Sequence, residues 1–333
     1  MNRIKIAIIG CGIITREAHL PAIKRLKERV EVIAVCNRSE AKAVEVVKEL
    51  NLDVSAVWTD WKKMIGELKE LEAVLIALPI TMNYEVSRAC CEAGLSVLCE
   101  KPAAMTGKEA EETTEFSSRY DVTYMTAENF HYKPLYVKAA EVVRSGTIGK
   151  VHSATWNVHS WMEVDNKYNK TEWRAHNEYP GGYVLDGGVH FVHALQMING
   201  PVESVFAHTA SIDDRLGTMD MAMSLIKHQS GCVSSLNMGW RSVSEDGALR
   251  IFGDKGSLVV NQEKIRELKP DGTEVLHSFE DESSFYHQWT AFLDALVGKK
   301  EAMIPEKMPA LDVKVILAMV ESGKTGQRVT IKS

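Results

Sequence analysis

Ile4-Lys5-Ile6-Ala7-Ile8-Ile9-Gly10-Cys11-Gly12-Ile13-Ile14-Thr15 leads from an apolar run, through two glycines, into an amphipathic stretch spanning Arg16 to Arg29. A strand apolar along its whole length is buried on both faces, which requires helices on either side of a parallel sheet. The glycines fall where that strand would hand over to the first helix. In a dinucleotide site the first glycine permits the tight turn and the second lets backbone approach the pyrophosphate. The helix N-terminus adds N–H donors and partial positive charge. Gly10, Gly12, Ile13 and Ile14 are therefore candidate phosphate-binding residues. The third small position is Thr15 rather than Gly or Ala, so helix and strand are expected to sit slightly farther apart there.

The alternation continues outward with EVIAVC, Glu40 to Leu50, AVLIALP, Tyr84 to Ala93, LSVLCEKP and Thr106 to Tyr120. This pattern describes a doubly wound α/β domain over residues 1–125. From Val151 the runs lengthen and become β-prone: VHSATWNVHSW, VESVFAHTASI, MDMAMSLIKH, CVSSLNMGW and ALRIFGDKGSLVVN. Turn signals at Gln229-Ser230-Gly231 and Asp254-Lys255-Gly256 join them, as a mostly antiparallel sheet requires. Residues 126–333 are read as an α+β domain on an open sheet, with helices at 283–298 and 307–322.

In that sheet Met219, Met221, Met223 and Leu225 share one strand face, and Cys232, Leu236, Met238 and Trp240 share another. A sheet covered by helices on one side and still apolar on the other is expected to associate into a homodimer or homotetramer. The plainer reading is that the methionines fill core.

A chain of 333 residues is too long for one core of typical size, and two domains are expected. Hydrophobic residues at 45% with charged residues at 25% describe a soluble globular protein. A net charge of -6 without Lys/Arg blocks excludes a nucleic-acid partner. The six cysteines are scattered, without disulfide-scaffold or zinc spacing, which fits a reducing cytoplasm. MNRIKIAIIGCGII resembles a signal peptide in charge and hydropathy, but Thr15, Arg16 and Glu17 follow without a cleavage pattern, so it reads as strand and turn. No apolar run reaches the ~18 residues that crossing a bilayer takes.

The residues ending the second strand report on the dinucleotide, because an acid there bonds the ribose 2'-hydroxyl and repels a 2'-phosphate. Asn37, Arg38 and Ser39 stand there, with no acid, and Arg38 with Ser39 suit a phosphate. NADP(H) is favoured over NAD(H). Glu100-Lys101-Pro102 follows LSVLC at the carboxyl edge of the sheet, where ligands collect, and Pro102 restrains the turn that would aim Lys101 inward.

Tyr179 to His193 reads YPGGYVLDGGVHFVH. If it is helical, Asp186 and His190 share a face and His193 lies three residues beyond. D-x3-H-x2-H could bind a metal, close a helix turn or move a proton. His190 has the titration range for proton exchange with an alcohol. His193 reads as a wall or core histidine, and His159, Trp161, His176 and Trp240 as pocket-wall candidates.

GCGIITREAHLPAI, ALPITMNYEVSRACCEAGLSVLCEKPAA, GGYVLDGGVH and the ending VESGKTGQRVTI together resemble the family of glucose-fructose oxidoreductase, inositol dehydrogenase and rhizopine-catabolism proteins, Gfo/Idh/MocA. The resemblance implies a Rossmann domain followed by an open mixed sheet. It further implies hydride transfer between a nicotinamide and a hydroxyl or carbonyl carbon of a sugar, inositol or related polyol. Lys101 matches the family's catalytic lysine, Asp186 and His190 its aspartate and histidine, and Trp173-Arg174 its pocket-bordering WR element. Leu78, Pro79, Asn83, Glu100, Lys101 and Asn129 join the glycine turn and residues 37–39 as the expected cofactor set. Two departures stand out: Asn83 replaces a histidine common in the family, and His193 replaces an acid. With Lys101 to polarise a carbonyl, no metal is expected. A nicotinamide-dependent glycosidase and a non-catalytic sensor are the alternatives, and retention of Lys101, Asp186 and His190 together argues against the sensor.

Overall fold

The computed structural model describes residues 3–175, 179–244, 246–261, 264–280, 282–299, 301 and 303–331. It divides into two compact units: residues 1–129 with 283–310, and residues 130–282 with 311–333.

Six strands of the first unit, β1 (Ile4–Ile9), β2 (Val30–Cys36), β3 (Val57–Trp58), β4 (Ala73–Ile76), β5 (Ser96–Glu100) and β6 (Tyr124–Ala127), form one parallel sheet. Their order is β3-β2-β1-β4-β5-β6. Helices α1 (Leu20–Arg25), α2 (Glu40–Glu49), α3 (Trp61–Glu67), α4 (Ile80–Glu92), α5 (Gly107–Thr113) and α6 (Phe116–Tyr120) link them. Successive β1 residues enter different cores, as the two-residue period of a strand dictates. Ile6 and Ile8 pack with Leu20, Ile23 and Val46, whereas Ala7 and Ile9 pack with Met64, Val86, Cys90 and Phe116.

The sequence division at residue 125 differs from these units in two respects. β6 runs across it, because Tyr124–Ala127 is the sixth strand of the parallel sheet. A later helix, Ser284–Leu296, also belongs to the first unit, since its Trp289, Phe292 and Leu293 enter the core of Ile6 and Leu20.

In the second unit α7 (Pro134–Arg144) precedes β7 (Val151–His159), and α8 (Glu172–Ala175) precedes α9 (Gly182–Asn199). Then come β8 (Val202–Ala210), β9 (Met221–His228), β10 (Val233–Gly239), β11 (Leu249–Gly253), β12 (Gly256–Val260), β13 (Ile265–Leu268) and β14 (Glu274–His277). The helix at Ser284–Leu296 is α10, followed by α11 (Lys307–Thr325) and β15 (Val329–Thr330). The nine strands order as β14-β13-β12-β11-β7-β10-β9-β8-β15, antiparallel except for β7 beside β10.

Ala222, Ser224, Ile226 and His228 of β9 are buried, as are Ser234, Leu236 and Met238 of β10, while the alternate positions face out. Register sets Phe206 beside Leu225 and Val233 beside Lys227. Phe206, Met223, Leu225 and Val233 are 45%, 52%, 54% and 41% exposed, which makes an apolar strip on the open face. The second apolar face expected from sequence, Cys232 through Trp240, is instead the inward one. Among the described residues no helix is long and apolar enough to cross a membrane.

Candidate functional site

The glycine turn comes first. Gly10 has a φ of +105°, and a Cβ there would collide with the Ala77 carbonyl, so only glycine fits. Gly12 is exposed, and a Cβ on it would meet nothing within 4 Å, so its backbone is open to a ligand. Thr15 takes up its extra bulk by donating its hydroxyl to Gly10 O at 2.8 Å, and it opens a π-helical turn, Thr15–His19, that runs into α1. Leu78 lies beside the turn. Open backbone at a helix start, with a side-chain-free approach, fits a pyrophosphate.

Asn37 braces this turn. Its Oδ1 accepts from Cys11 N at 3.1 Å and its Nδ2 donates to Ser39 O at 3.0 Å. Arg38 and Ser39 beyond it are exposed.

The Lys101 turn is pinned from three sides. Asn83, wholly buried, donates Nδ2 to Glu100 O at 3.1 Å and to Pro102 O at 2.9 Å, holding the carbonyls on either side of Lys101. Glu100 Oε2 accepts from Lys101 N at 3.2 Å, and its Oε1 lies 2.9 Å from His19 Nε2. The His19 ring, in turn, accepts at Nδ1 from Trp289 Nε1 at 3.0 Å. An indole N–H can only donate, so Nδ1 carries no hydrogen; Nε2 carries it and donates to Glu100. The Lys101–Pro102 peptide is cis.

Asn83 and Glu100, expected in the cofactor set, use these polar groups to hold the Lys101 turn. Asn129 donates to Ser284 Oγ at 2.9 Å. Pro79 precedes α4 and is half-buried.

In the second unit the two glycine pairs of YPGGYVLDGGVHFVH have different jobs. Gly181 and Gly182 take positive φ and start α9, a conformation that side chains rarely adopt. Gly187 and Gly188 give the helix a flat side: a Cβ on the first would strike the Trp240 indole, and on the second would crowd Met238 and Ile316.

Asp186, His190 and His193 then go separate ways. Asp186 Oδ2 accepts from Arg174 Nε at 2.6 Å, and the guanidinium lies 4.0 Å from the Trp173 ring centre. Burial alone would depress the Arg174 guanidinium; the Asp186 carboxylate more than offsets this and holds it raised. Burial, with the same carboxylate nearby, pushes the Tyr179 phenol up. His190 stacks on Phe130 with ring centres 4.5 Å apart. His193 is wholly buried against Asp312 and His131.

Among the described residues no three His, Cys, Asp or Glu groups are placed to hold a metal. His159 bonds Ser242 Oγ at 2.7 Å, Trp161 lies exposed under Arg241, and Trp240 packs on Gly187. His176, the remaining wall candidate, lies outside the described residues.

Residues 4–128 match the family described as "Oxidoreductase family, NAD-binding Rossmann fold", and residues 136–259 match the "GFO/IDH/MocA C-terminal domain". A crystal structure of an oxidoreductase from Thermotoga maritima is 30% identical, with a TM-score of 0.92 and 99% of each chain covered. The chain belongs to the Gfo/Idh/MocA family. It is therefore an NAD(P)-dependent oxidoreductase.

Among curated Gfo/Idh/MocA relatives, D-xylose 1-dehydrogenase (NADP(+)) 2 of Haloferax volcanii is 27% identical over 97% of this chain and 98% of its own. Myo-inositol 2-dehydrogenase of T. maritima is 25% identical over 79% and 76%, respectively.

In this Gfo/Idh/MocA chain, sequence reasoning passed over His19, Trp289, His131 and Asp312. His19 carried a signal, a histidine in the otherwise apolar run AHLPAI. Asp312 and Trp289 lie too far along the chain for any local spacing to show their partners.

Removing the His19 imidazole leaves buried Glu100 short of a donor, which typically costs about 2 kcal/mol or more. His19→Ala is expected to lower the free energy of unfolding by that amount, seen as a lower denaturation midpoint, and His19→Gln, which restores a donor, to lower it by less. Equal midpoints for His19→Ala and the natural chain would show that Glu100 does not depend on this bond.

Proposed function

We propose that the protein oxidises or reduces a CH–OH or carbonyl carbon of a sugar, inositol or related polyol, with NADP(H) preferred over NAD(H). The observation that carries this reading is the Lys101 turn, held at both flanking carbonyls by Asn83 and at its own N–H by Glu100. Such bracing suits an ammonium that must meet a reacting oxygen in one orientation. The bound nicotinamide would supply the hydride acceptor or donor.

In oxidation the Lys101 ammonium donates to the developing alkoxide, and His190 takes the hydroxyl proton. Asp186, fixed by Arg174, holds a substrate hydroxyl or orients the base, and Trp173 with Arg174 borders the substrate. Reduction reverses these roles. The names of the xylose and inositol dehydrogenase relatives support a small polyol as substrate.

Lys101→Ala is expected to lower turnover about 100-fold or more while cofactor affinity stays nearly intact, because one alkoxide donor is lost. The assay is a screen of sugars, inositols and sugar acids, read at the reduced-nicotinamide absorbance. Unchanged turnover in the variant would refute the assignment.

Exposed Arg38 and Ser39, with no acid at the end of β2, support a ribose 2'-phosphate. Arg38→Ala should raise KM for NADP+ by about 10-fold or more, one charge-assisted hydrogen bond's worth, and leave KM for NAD+ unchanged. A marked preference of the natural chain for NAD+ would contradict this.

The strip of Phe206, Met223, Leu225 and Val233 supports self-association through the open sheet face, as a homodimer or homotetramer. Light scattering should show the natural chain as an oligomer and Met223→Asp/Leu225→Asp as a monomer; a monomeric natural chain would end this reading. All six cysteines are free and buried, and burial pushes the Cys11 thiol up to about 12 and that of Cys36 to about 11. Unreactive thiols of this kind are in keeping with a reducing cytoplasm.

A further inference from the structure

Helix α9 carries two histidines, and only His190 has a part in the reaction proposed above. His193 is wholly buried, yet both of its ring nitrogens are engaged. Nδ1 lies 2.7 Å from Asp312 Oδ2 on α11, and Nε2 lies 2.9 Å from His131 Nδ1. The second carboxylate oxygen, Asp312 Oδ1, accepts from Gln196 Nε2 at 2.6 Å. A carboxylate only accepts, so the His193 nitrogen facing Asp312 carries hydrogen.

The contact between the two imidazoles has room for one hydrogen. Either His131 donates Nδ1–H to a neutral His193, or a doubly protonated His193 donates Nε2–H to His131. The first state becomes the second when His131 gains a proton at Nε2 and its Nδ1 hydrogen crosses to His193 Nε2. A positive charge arriving at half-buried His131 is thereby passed inward to a ring paired with a buried carboxylate, where an unpaired charge would be opposed by burial.

The outer end of this chain is linked to the candidate base through the neighbouring residue. His131 follows Phe130, the ring on which His190 stacks. The titratable and charged groups at this end are Tyr132, edge-on to His131 with ring centres 5.1 Å apart, Lys133, whose ammonium lies 3.8 Å from the Phe130 ring centre, and His190 itself. At the inner end Asp312 faces His193, with the neutral amide of Gln196 on its other oxygen.

We propose that Asp312, His193 and His131 form a proton relay that stores the proton released on alcohol oxidation. The carbon loses a hydride to the oxidised dinucleotide and its hydroxyl loses a proton. His190 takes that proton first and, on giving it up, returns to neutral; His131 gains a proton at Nε2 and yields its Nδ1 hydrogen to His193 Nε2, so His193 becomes the imidazolium facing Asp312. Reduction draws the same proton back. The relay's service to hydride transfer rests on the dehydrogenase reading; its ability to hold and move a proton does not.

Two measurements on the full chain test it. In histidine-ring NMR, His131 and His193 should titrate as a coupled pair, with a low-field Nδ1–H signal from His193 that Asp312→Asn abolishes. In kinetics, Asp312→Asn and His131→Gln should lower kcat for oxidation roughly tenfold with KM little changed, less than the ~100-fold or more of removing an acid–base group itself. Oxidation needs the pair unprotonated, so kcat rises with pH. Losing the Asp312 carboxylate weakens proton binding, so in Asp312→Asn that rise moves to lower pH.

His193 fixed in one protonation state from pH 5 to 9 would overturn the relay. So would a pH profile unmoved in both variants while stability falls, the signature of packing alone. His131→Gln, at a half-buried ring, keeps the test open if Asp312→Asn fails to fold. If the natural chain oxidises no polyol yet the pair titrates as coupled, the dehydrogenase reading fails and the relay loses its assigned reaction while keeping its proton.

Discussion

One run of buried hydrogen bonds governs the first unit's chemistry: Trp289 to His19, His19 to Glu100, Glu100 to the Lys101 amide. Its direction is set at one end by an indole that can only donate, which leaves the imidazole a single neutral tautomer. A second proton on His19 would break the indole bond. The histidine therefore behaves as a strut, and Lys101 inherits its placement from groups on the π-helical turn before α1, on α4 and on α10. With Asn83 holding the carbonyls on either side, the backbone at Lys101 is fixed before any ligand arrives.

The second unit solves a related problem with charge. Asp186 and Asp312 are both buried acids on inward-facing helical positions, and each has a dedicated cationic or imidazole partner, Arg174 for one and His193 for the other. Neither carboxylate is left alone, as burial of a charge demands. The glycines on α9 let Trp240 and Met238 close directly on the helix.

Much of this was legible in the chain. Continuous apolar runs announced a parallel sheet, the change of rhythm after Val151 announced a second sheet, and the glycine turn lay where its spacing put it. Short strands escaped: in the first unit β3 has only two residues and β6 is Tyr-Met-Thr-Ala, and in the second β13, β14 and β15 have four, four and two, without a period long enough to read. Asp186, His190 and His193 share a helix as expected, but spacing could not tell that each would find a different partner. Asn83 and Glu100 meet at the end of β5, and their hydrogen bonds turn toward protein, a choice that depends on carbonyls and a histidine brought in by folding. Trp289 and Asp312 stayed invisible, since their contacts span 270 and 119 residues.

The position of α10 in the first unit has a consequence for biosynthesis. A polypeptide emerging from the ribosome completes its first six strands by residue 127, but the hydrophobic side of α1 still lacks Trp289, Phe292 and Leu293, which are made more than a hundred residues later. Vectorial folding of the nucleotide-binding half is thus incomplete until the sheet of the other half has been synthesised. The nascent chain must carry an uncapped apolar surface through that interval, the condition under which chaperones are recruited.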